Sequence, residues 1–405
     1  YNSHGVRIRV RRGWAASTRS VYPLVVVVSS AAAAATSLVS ATHTILPHRR
    51  HAHIVPKAMG TVAAGKSDGD GSAHDRPTAV RVRGSAAQPL SPTLTTREGV
   101  VMPRMLYGTA WKADRTQDLV AAALRAGFRG IDTACQPKHY KESGVGDAIA
   151  AVAEAANTSP PITREDLFLQ TKYTPIRSQD PTDVPFDPAS SIPDQVAQSF
   201  AVSLANLRTT YVDSLVLHSP FENHEDTMLA WRAMEALYDS GGARQLGISN
   251  QYDLADFSRM FAEARVKPAV LQNRFYATSG YDVDLRRFCT ENSVVYQSFW
   301  TLTANRDVLF DEARGGGVKS GSADEARRLA MRGAVAAAAA ANGKTPAQVW
   351  FRWLQQGLGA VPLSGTSSPV HMAEDIEVFM HGGSFALTVG EMEAIQAAVL
   401  GGKAQ

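Results

Sequence analysis

Seven predicted β-strands in this chain each end in a polar residue that can act as an acid, a base or a ligand. The carboxyl ends of parallel strands meet at one rim of a closed barrel, and enzymes of this architecture place their active sites at that rim. The regularity therefore predicts a parallel barrel with a functional site at the ends of its strands. The residues are Asp132, Lys172, His218, the pair Ser249 and Asn250, Gln272, Ser298 and Ser364.

Strand and helix patterns alternate over about 300 residues, as expected of βαβ units that build a parallel sheet. A doubly wound sheet would carry a G-x-G-x-x-G fingerprint between a strand and a helix; Gly144-Val145-Gly146 follows a loop instead and is typical of helix packing. We therefore predict an α/β fold, a single (β/α)8 TIM barrel over residues 98–400. Strands are predicted at 128–134, 167–173, 211–218, 244–250, 269–275, 294–300 and 359–364, with an opening or bottom strand at 106–110. Helices are predicted at 194–207, 227–238, 254–264, 323–341 and Pro346–Gln356.

Charge is distributed unevenly along the chain. The sequence has 41 Lys and Arg against 38 Asp and Glu, a net charge of +3. Nine of the basic residues and none of the acidic ones lie in residues 1–67, which leaves 32 against 38, a net charge of −6, for the remainder. The body therefore has no basic excess of the kind that nucleic acids attract, and we expect no nucleic-acid partner. Two cysteines, Cys135 and Cys289, are too few for a disulfide framework or a cysteine zinc site, and both are expected to stay reduced.

Residues 1–66 resemble a targeting presequence. A basic flank, a short apolar run at 21–28 and small residues resemble a secretory signal, and a second acid-free stretch resembles a transit peptide. In series they resemble a bipartite plastid presequence, so a plastid location is favoured over a mitochondrial one; a location in the cytoplasm follows if the arm carries no signal. The run is too short to span a bilayer, and no membrane span is expected. We expect residues 1–66 to be disordered or cleaved, and 67–97, with scattered Gly, Ser, Asp and Pro, to be a linker.

Ionisable residues at three strand ends indicate proton chemistry. Singly, Asp132 could cap a helix, Lys172 could extend to solvent and His218 could be a core histidine, but all three at equivalent strand ends indicate a shared site. Asp132 and Lys172 can offset their burial by pairing. A buried lysine stabilises a nearby phenolate, so Lys172 is expected to lower the pKa of Tyr140, in the loop after the Asp132 strand, and to make it a general acid. With His218 bound to the substrate oxygen, this set suits carbonyl reduction if a hydride donor is present.

At these residues the sequence resembles the aldo-keto reductases, from about residue 102 to residue 379. The motifs are Gly108-Thr109-Ala110-Trp111, Gly127-Phe128-Arg129-Gly130-Ile131-Asp132-Thr133-Ala134, Thr171-Lys172, Leu217-His218-Ser219-Pro220 and Gly247-Ile248-Ser249-Asn250. The resemblance implies a catalytic tetrad, here Asp132, Tyr140, Lys172 and His218, that reduces aldehydes or ketones. It also implies a nicotinamide cofactor across the barrel mouth without a Rossmann domain. Matching cofactor positions are Gly108, Thr109, Ser249, Asn250, Gln272, Ser298, Ser364 and Thr366, of which Ser249, Asn250 and Gln272 hold the carboxamide. Trp111 and Trp300 are expected at the substrate, although Trp300 could equally pack in the core.

The sequence departs from this family's pattern at three places. The loop before Tyr140 has gained about three residues by comparison with the family's usual spacing, which makes His139 a competitor for its role. Gln297 stands where the family has an aromatic residue that stacks on the nicotinamide. Leu363 and His371 stand where a lysine and an arginine bind the 2′-phosphate of NADP. NADP is the family's usual cofactor, and the loss of two charge-assisted contacts leaves NAD open as an alternative.

Two other functions fit a barrel of this kind less well. A regulatory or scaffold subunit that only binds the cofactor would not need the tetrad, and a metal-dependent hydrolase would need clustered metal ligands at several strand ends, where only His218 qualifies. No metal site is therefore predicted. We expect a monomer that acts on a small carbonyl compound. The long loop 173–193 either covers the substrate or packs outside the barrel, and a second loop at 315–322 has no assigned role.

Overall fold

The computed structural model describes residues 90–154, 161–310, 322–380 and 385–400. The predicted presequence, and the predicted linker up to residue 89, lie outside these residues. The strands are β1 (Thr93–Thr95), β2 (Val101–Pro103), β3 (Leu106–Gly108), β4 (Gly130–Asp132), β5 (Phe168–Tyr173), β6 (Ser214–Leu217), β7 (Leu246–Ser249), β8 (Val270–Arg274), β9 (Val295–Phe299) and β10 (Val361–Ser364). The helices are α1 (Thr116–Ala126), α2 (Glu142–Glu154), α3 (Ile192–Leu207), α4 (His224–Asp239), α5 (Leu254–Glu263), α6 (Val283–Glu291), α7 (Thr301–Ala304), α8 (Arg306–Leu309), α9 (Ala323–Asn342), α10 (Pro346–Gln356), α11 (Pro369–Met380) and α12 (Val389–Leu400).

Eight parallel strands form a closed barrel in the order β10-β3-β4-β5-β6-β7-β8-β9, which confirms the predicted (β/α)8 TIM barrel. The segment 106–110, predicted as an opening or bottom strand, contributes β3, a full member of the barrel between β10 and β4. Strands β1 and β2 form a separate antiparallel hairpin. Since β1 lies within 67–97, the end of the segment interpreted as a linker belongs to regular structure.

The barrel interior is divided into an apolar layer and a polar layer. Near the amino-terminal ends of the strands, Leu106, Phe168 and Val270 pack together with Val100 and Met102 from the hairpin segment. Toward the other ends, the inward side chains are polar and carry the candidate site. The hairpin thus covers the bottom of the barrel with apolar side chains, and the polar layer is left to face the opposite rim.

The helices surround the barrel, and the main core lies between the two. Gly146 on α2 allows close packing against α3, because a Cβ at this position would lie 2.1 Å from the backbone oxygen of Asn206. This is the helix-packing role expected of the glycine pair at 144–146. Helix α10 begins as predicted, with Pro346 in its first turn and Thr345 accepting a hydrogen bond from the Gln348 backbone at 3.2 Å. Among the described residues, no helix combines the length and apolar character needed to cross a membrane.

Candidate active site

The centre of the site is a buried ion pair between strands β4 and β5. Lys172 Nζ lies 2.6 Å from Asp132 Oδ2 and donates a second hydrogen bond, of 2.9 Å, to the backbone oxygen of Thr133. The two charged side chains are almost fully buried. Their pairing offsets the cost of removing each charge from water, as the sequence predicted.

Three glutamines extend this pair into a hydrogen-bonded layer across the barrel. The amide nitrogens of Gln170 and Gln272 both donate to Asp132 Oδ1, at 2.7 and 3.0 Å, and both donate to Gln297 Oε1, at 2.8 and 2.9 Å. Gln297 Nε2 donates back to Gln170 Oε1 at 3.0 Å. All three glutamines are buried. Gln297, which replaces the expected aromatic residue, is therefore part of the interior layer and does not reach the cavity wall.

Tyr140 lies beside the ion pair, in spite of its longer loop. Its backbone nitrogen donates to Gln136 O at 2.9 Å. Its ring centroid lies 5.3 Å from Lys172 Nζ and 5.9 Å from the ring of His218. Burial, together with the negative charge of Asp132, raises the pKa of Tyr140 above its ordinary value. The expected net lowering of this pKa is wrong, because burial and the Asp132 charge both disfavour the phenolate, and together they outweigh the attraction of Lys172.

His218 presents an uncharged imidazole to the same space. Its Nδ1 lies 2.7 Å from the hydroxyl oxygen of Thr174, which leaves Nε2 for a ligand. Burial, with smaller effects from Lys172 and His139, lowers the pKa of His218 well below its ordinary value. The ring is therefore neutral at pH 7. The Thr174 hydroxyl can donate a hydrogen bond to Nδ1 or accept one from it, so Nε2 can either carry the proton or accept one.

A cavity of about 810 Å³ opens above these residues at the carboxyl ends of the strands. Most of the predicted residues line it: Gly108, Trp111, Asp132, Tyr140, His218, Ser249, Asn250, Gln272, Trp300, Ser364 and Thr366. Three do not. Lys172 lies beneath the wall, Thr109 is buried with its hydroxyl bonded to Asp132 O at 3.0 Å, and Ser298 is buried with its hydroxyl unpartnered. Thr109 and Ser298 were predicted to contact the cofactor, and neither reaches this wall because its side chain is turned into the barrel structure.

Trp111 and His139 form one side of the cavity. Their ring centroids are 3.8 Å apart, and the Trp111 backbone nitrogen donates to His139 O at 2.7 Å. Trp111 is 63% exposed and has a φ of +62°, an uncommon value for a bulky residue. Burial lowers the pKa of His139, and its Nδ1 is buried without a hydrogen-bond partner. Both residues line the cavity together with Tyr140.

The groups predicted to hold a carboxamide lie at the ends of β7 and β8. Ser249 Oγ donates to Gln272 O at 2.7 Å. Asn250, with a φ of +56°, donates from Nδ2 to His218 O at 2.9 Å. This hydrogen bond links Asn250 to the strand end that carries His218. The residues predicted to hold the carboxamide are thereby held next to the predicted catalytic residues.

The far end of the cavity, at β10 and α11, is acidic. Ser364 Oγ donates to Asp375 Oδ2 at 2.5 Å, and Glu374 lines the same wall. Burial raises the pKa of Asp375 to about 7. Neither acidic residue was identified from the sequence, although both follow the last strand closely.

Trp300 lies in the cavity wall and is 43% exposed, so core packing does not explain it. The guanidinium carbon of Arg274 lies 4.5 Å from its ring centroid. Arg274 was also missed from the sequence; its place two residues after Gln272 on β8 was the available signal.

The long loop 173–193 packs outside the barrel and contributes no residue to the cavity wall. Phe186 is buried against Tyr173, with ring centroids 5.8 Å apart. Gln136 Nε2 donates to Ser178 O at 2.6 Å, and Gln179 Nε2 donates to Cys135 O at 3.0 Å. These bonds favour the second interpretation of the loop, as a structural arm that supports the segment before Tyr140. Both cysteines are free and buried. The other loop, 315–322, lies outside the described residues except for Ser322.

Comparisons with known proteins give the family and the fold of the chain. The model of the aldo/keto reductase family matches residues 104–399. A probable NAD(P)H-dependent D-xylose reductase of Aspergillus clavatus is 30% identical over 322 residues, which cover 76% of this chain and 90% of the relative. Methylglyoxal reductase DkgA of Yersinia pestis is 27% identical over 309 residues, which cover 76% of this chain and 92% of the relative. Among solved structures, an aldo-keto reductase of Bombyx mori in complex with NADP has a TM-score of 0.58 and 22% identity, covering 77% of this chain and 94% of the other; at this identity it supports the fold.

Proposed function

Because the chain belongs to the aldo/keto reductase family and is an NAD(P)-dependent oxidoreductase, we propose that it reduces aldehydes or ketones to alcohols with Tyr140 as the proton donor. The observation that carries the proposal is the position of Tyr140 in the cavity wall, beside both Lys172 and His218. A regulatory subunit that only binds the cofactor would have no use for this arrangement.

The cavity suits a nicotinamide cofactor. Its volume lies in the range of ligand sites, and its wall combines apolar surface with a few polar groups. Ser249, Asn250 and Gln272 would hold the carboxamide, and Ser364 the adenosine end. When bound, the cofactor supplies a hydride to the carbonyl carbon of the substrate.

Negative charge then develops on the carbonyl oxygen, and the residues of this chain must neutralise it. His218 donates a hydrogen bond to that oxygen from Nε2, and Tyr140 transfers its proton. The raised pKa of Tyr140 keeps the hydroxyl protonated until an alkoxide, a stronger base than a phenolate, is present. Lys172 then stabilises the phenolate, held in place by Asp132.

The cofactor preference is proposed to be weak. Leu363 cannot bind a 2′-phosphate, and Glu374 and Asp375 add acidic groups to the same end of the cavity. NADP remains the expected cofactor, with NAD accepted to a similar extent.

The test is Tyr140→Phe, which removes one hydroxyl and keeps the ring. Turnover of a reactive aldehyde should fall by roughly 10²–10⁴, the usual contribution of general-acid catalysis. The dissociation constant of NADPH, measured by quenching of tryptophan fluorescence, should barely change. Tyr238→Phe is the matched control, since its hydroxyl bonds to Glu98, away from the cavity. Retained turnover in Tyr140→Phe would assign proton donation to His139 or His218.

A further inference from the structure

Among the described residues of the cavity wall, one carries a fixed positive charge. Of the described residues that line it, only Arg274 is a lysine or an arginine. Its guanidinium lies over the ring of Trp300, at 4.5 Å, and near that of Tyr276, at 5.4 Å. Within the described part of the chain it forms no ion pair with an acidic side chain. A cation that borders a cavity without a counter-ion is suited to an anionic ligand.

The position of Arg274 indicates which ligand group it meets. Side chains two residues apart on a strand share a face, so Arg274 projects on the same side as Gln272, nearer the mouth. In the closed barrel β8 lies opposite β4, so Arg274 is across the mouth from the strand that leads to Tyr140. A molecule that reaches from Asn250, after β7, to Ser364, on β10, by the shorter way along the rim passes β8 and β9, where Arg274 and Trp300 lie.

We propose that Arg274, whose guanidinium lies over the ring of Trp300, binds the diphosphate of the nicotinamide cofactor. The assignment rests on the proposed function. A dinucleotide carries its negative charges between its two nucleosides, which is where this crossing places Arg274. The planar guanidinium can donate to two phosphate oxygens at once, and stacking on an aromatic ring restricts its orientation before the ligand binds. The described residues that line the cavity include no other lysine or arginine, and the nearby ammonium of Lys112 donates to the backbone oxygen of Gly365.

Arg274→Met tests the assignment by direct binding. Dissociation constants of NADPH and NADH, measured by calorimetry, should rise by a similar factor, roughly 10- to 100-fold for the loss of a charge-assisted contact. The dependence of binding on salt should weaken, because one charge pair is lost. Arg274→Lys should recover part of the affinity. If the methionine variant does not fold, the dissociation constants of the lysine variant supply the test. Arg259→Met, on the exposed face of α5, is the control. Unchanged dissociation constants in Arg274→Met and Arg274→Lys would overturn the assignment.

A substrate carboxylate is the other oxyanion that could meet this arginine. Glyoxylate and the uncharged glycolaldehyde separate the two sources. If the variant leaves cofactor binding unchanged and raises KM for glyoxylate alone, the anion belongs to the substrate and the diphosphate assignment is wrong. If the unsubstituted protein binds neither NADPH nor NADH, the proposed function itself fails, and the assignment with it.

Discussion

Lys172→Met should separate the structural cost of the buried ion pair from its role in turnover. The ammonium makes two hydrogen bonds, to Asp132 Oδ2 and to Thr133 O, and its removal leaves the Asp132 carboxylate buried without a counter-ion. Breaking a buried pair in this way costs about 3–5 kcal/mol. Because Asp132 Oδ1 keeps hydrogen bonds from Gln170 and Gln272, we expect the lower end of that range, about 3 kcal/mol.

Asp132→Asn in the Lys172→Met background supplies the matched comparison. An asparagine oxygen can still accept from the two glutamines, and no buried charge remains. The double variant should therefore be more stable than Lys172→Met. Its turnover should stay as low, because both variants lack the ammonium that stabilises the Tyr140 phenolate. Urea denaturation measures the midpoint and the slope, and an unchanged slope shows that the difference is one of stability. The reasoning is refuted if Lys172→Met is as stable as the unsubstituted protein, or if the double variant is no more stable than the single one.

Two further outcomes are expected. A chain that begins at Leu90, where the described fold begins, should fold and bind NADPH with unchanged affinity; circular dichroism and fluorescence quenching would show this, and aggregation would mean that earlier residues belong to the fold. Asp375, with its pKa raised to about 7 by burial, gains its negative charge as the pH rises through 7, so the ratio of the NADPH to the NADH dissociation constant should increase between pH 6 and pH 8. In Asp375→Asn the increase should be smaller; an equal increase would assign it to another group, such as the 2′-phosphate itself.

The barrel could be predicted from the sequence because its strands carry a repeated local signal, apolar residues that end in a polar one. The same signal indicated that Asp132, Lys172 and His218 meet, since parallel strands share a rim. The hairpin at β1 and β2 was not predicted, because β1 follows Ser and Pro residues in a segment whose composition indicates a linker. The burial of Gln297 depends on the register of neighbouring strands, which a single sequence does not contain.

Other parts of the site depend on depth and on contacts between distant residues. The direction of the Tyr140 pKa shift follows from the balance of burial, Asp132 and Lys172, and a list of neighbouring residue types predicts only one part of that balance. Arg274 becomes a candidate ligand only when Trp300, 26 positions later, is found beneath its guanidinium. Asp375 is likewise recognised as part of the site only from its hydrogen bond with the Ser364 hydroxyl.

The glutamine layer also limits how this enzyme could be redesigned. Installing a tyrosine at Gln297, to provide an aromatic surface under the nicotinamide, would remove the acceptor shared by Gln170 and Gln272 and place a ring in a space filled by amides. The two remaining glutamines would then need apolar or smaller replacements on β5 and β8. Gln170 on β5, Gln272 on β8 and Gln297 on β9 therefore have to be substituted together. A library that varies one of these positions at a time will select against an aromatic residue at position 297.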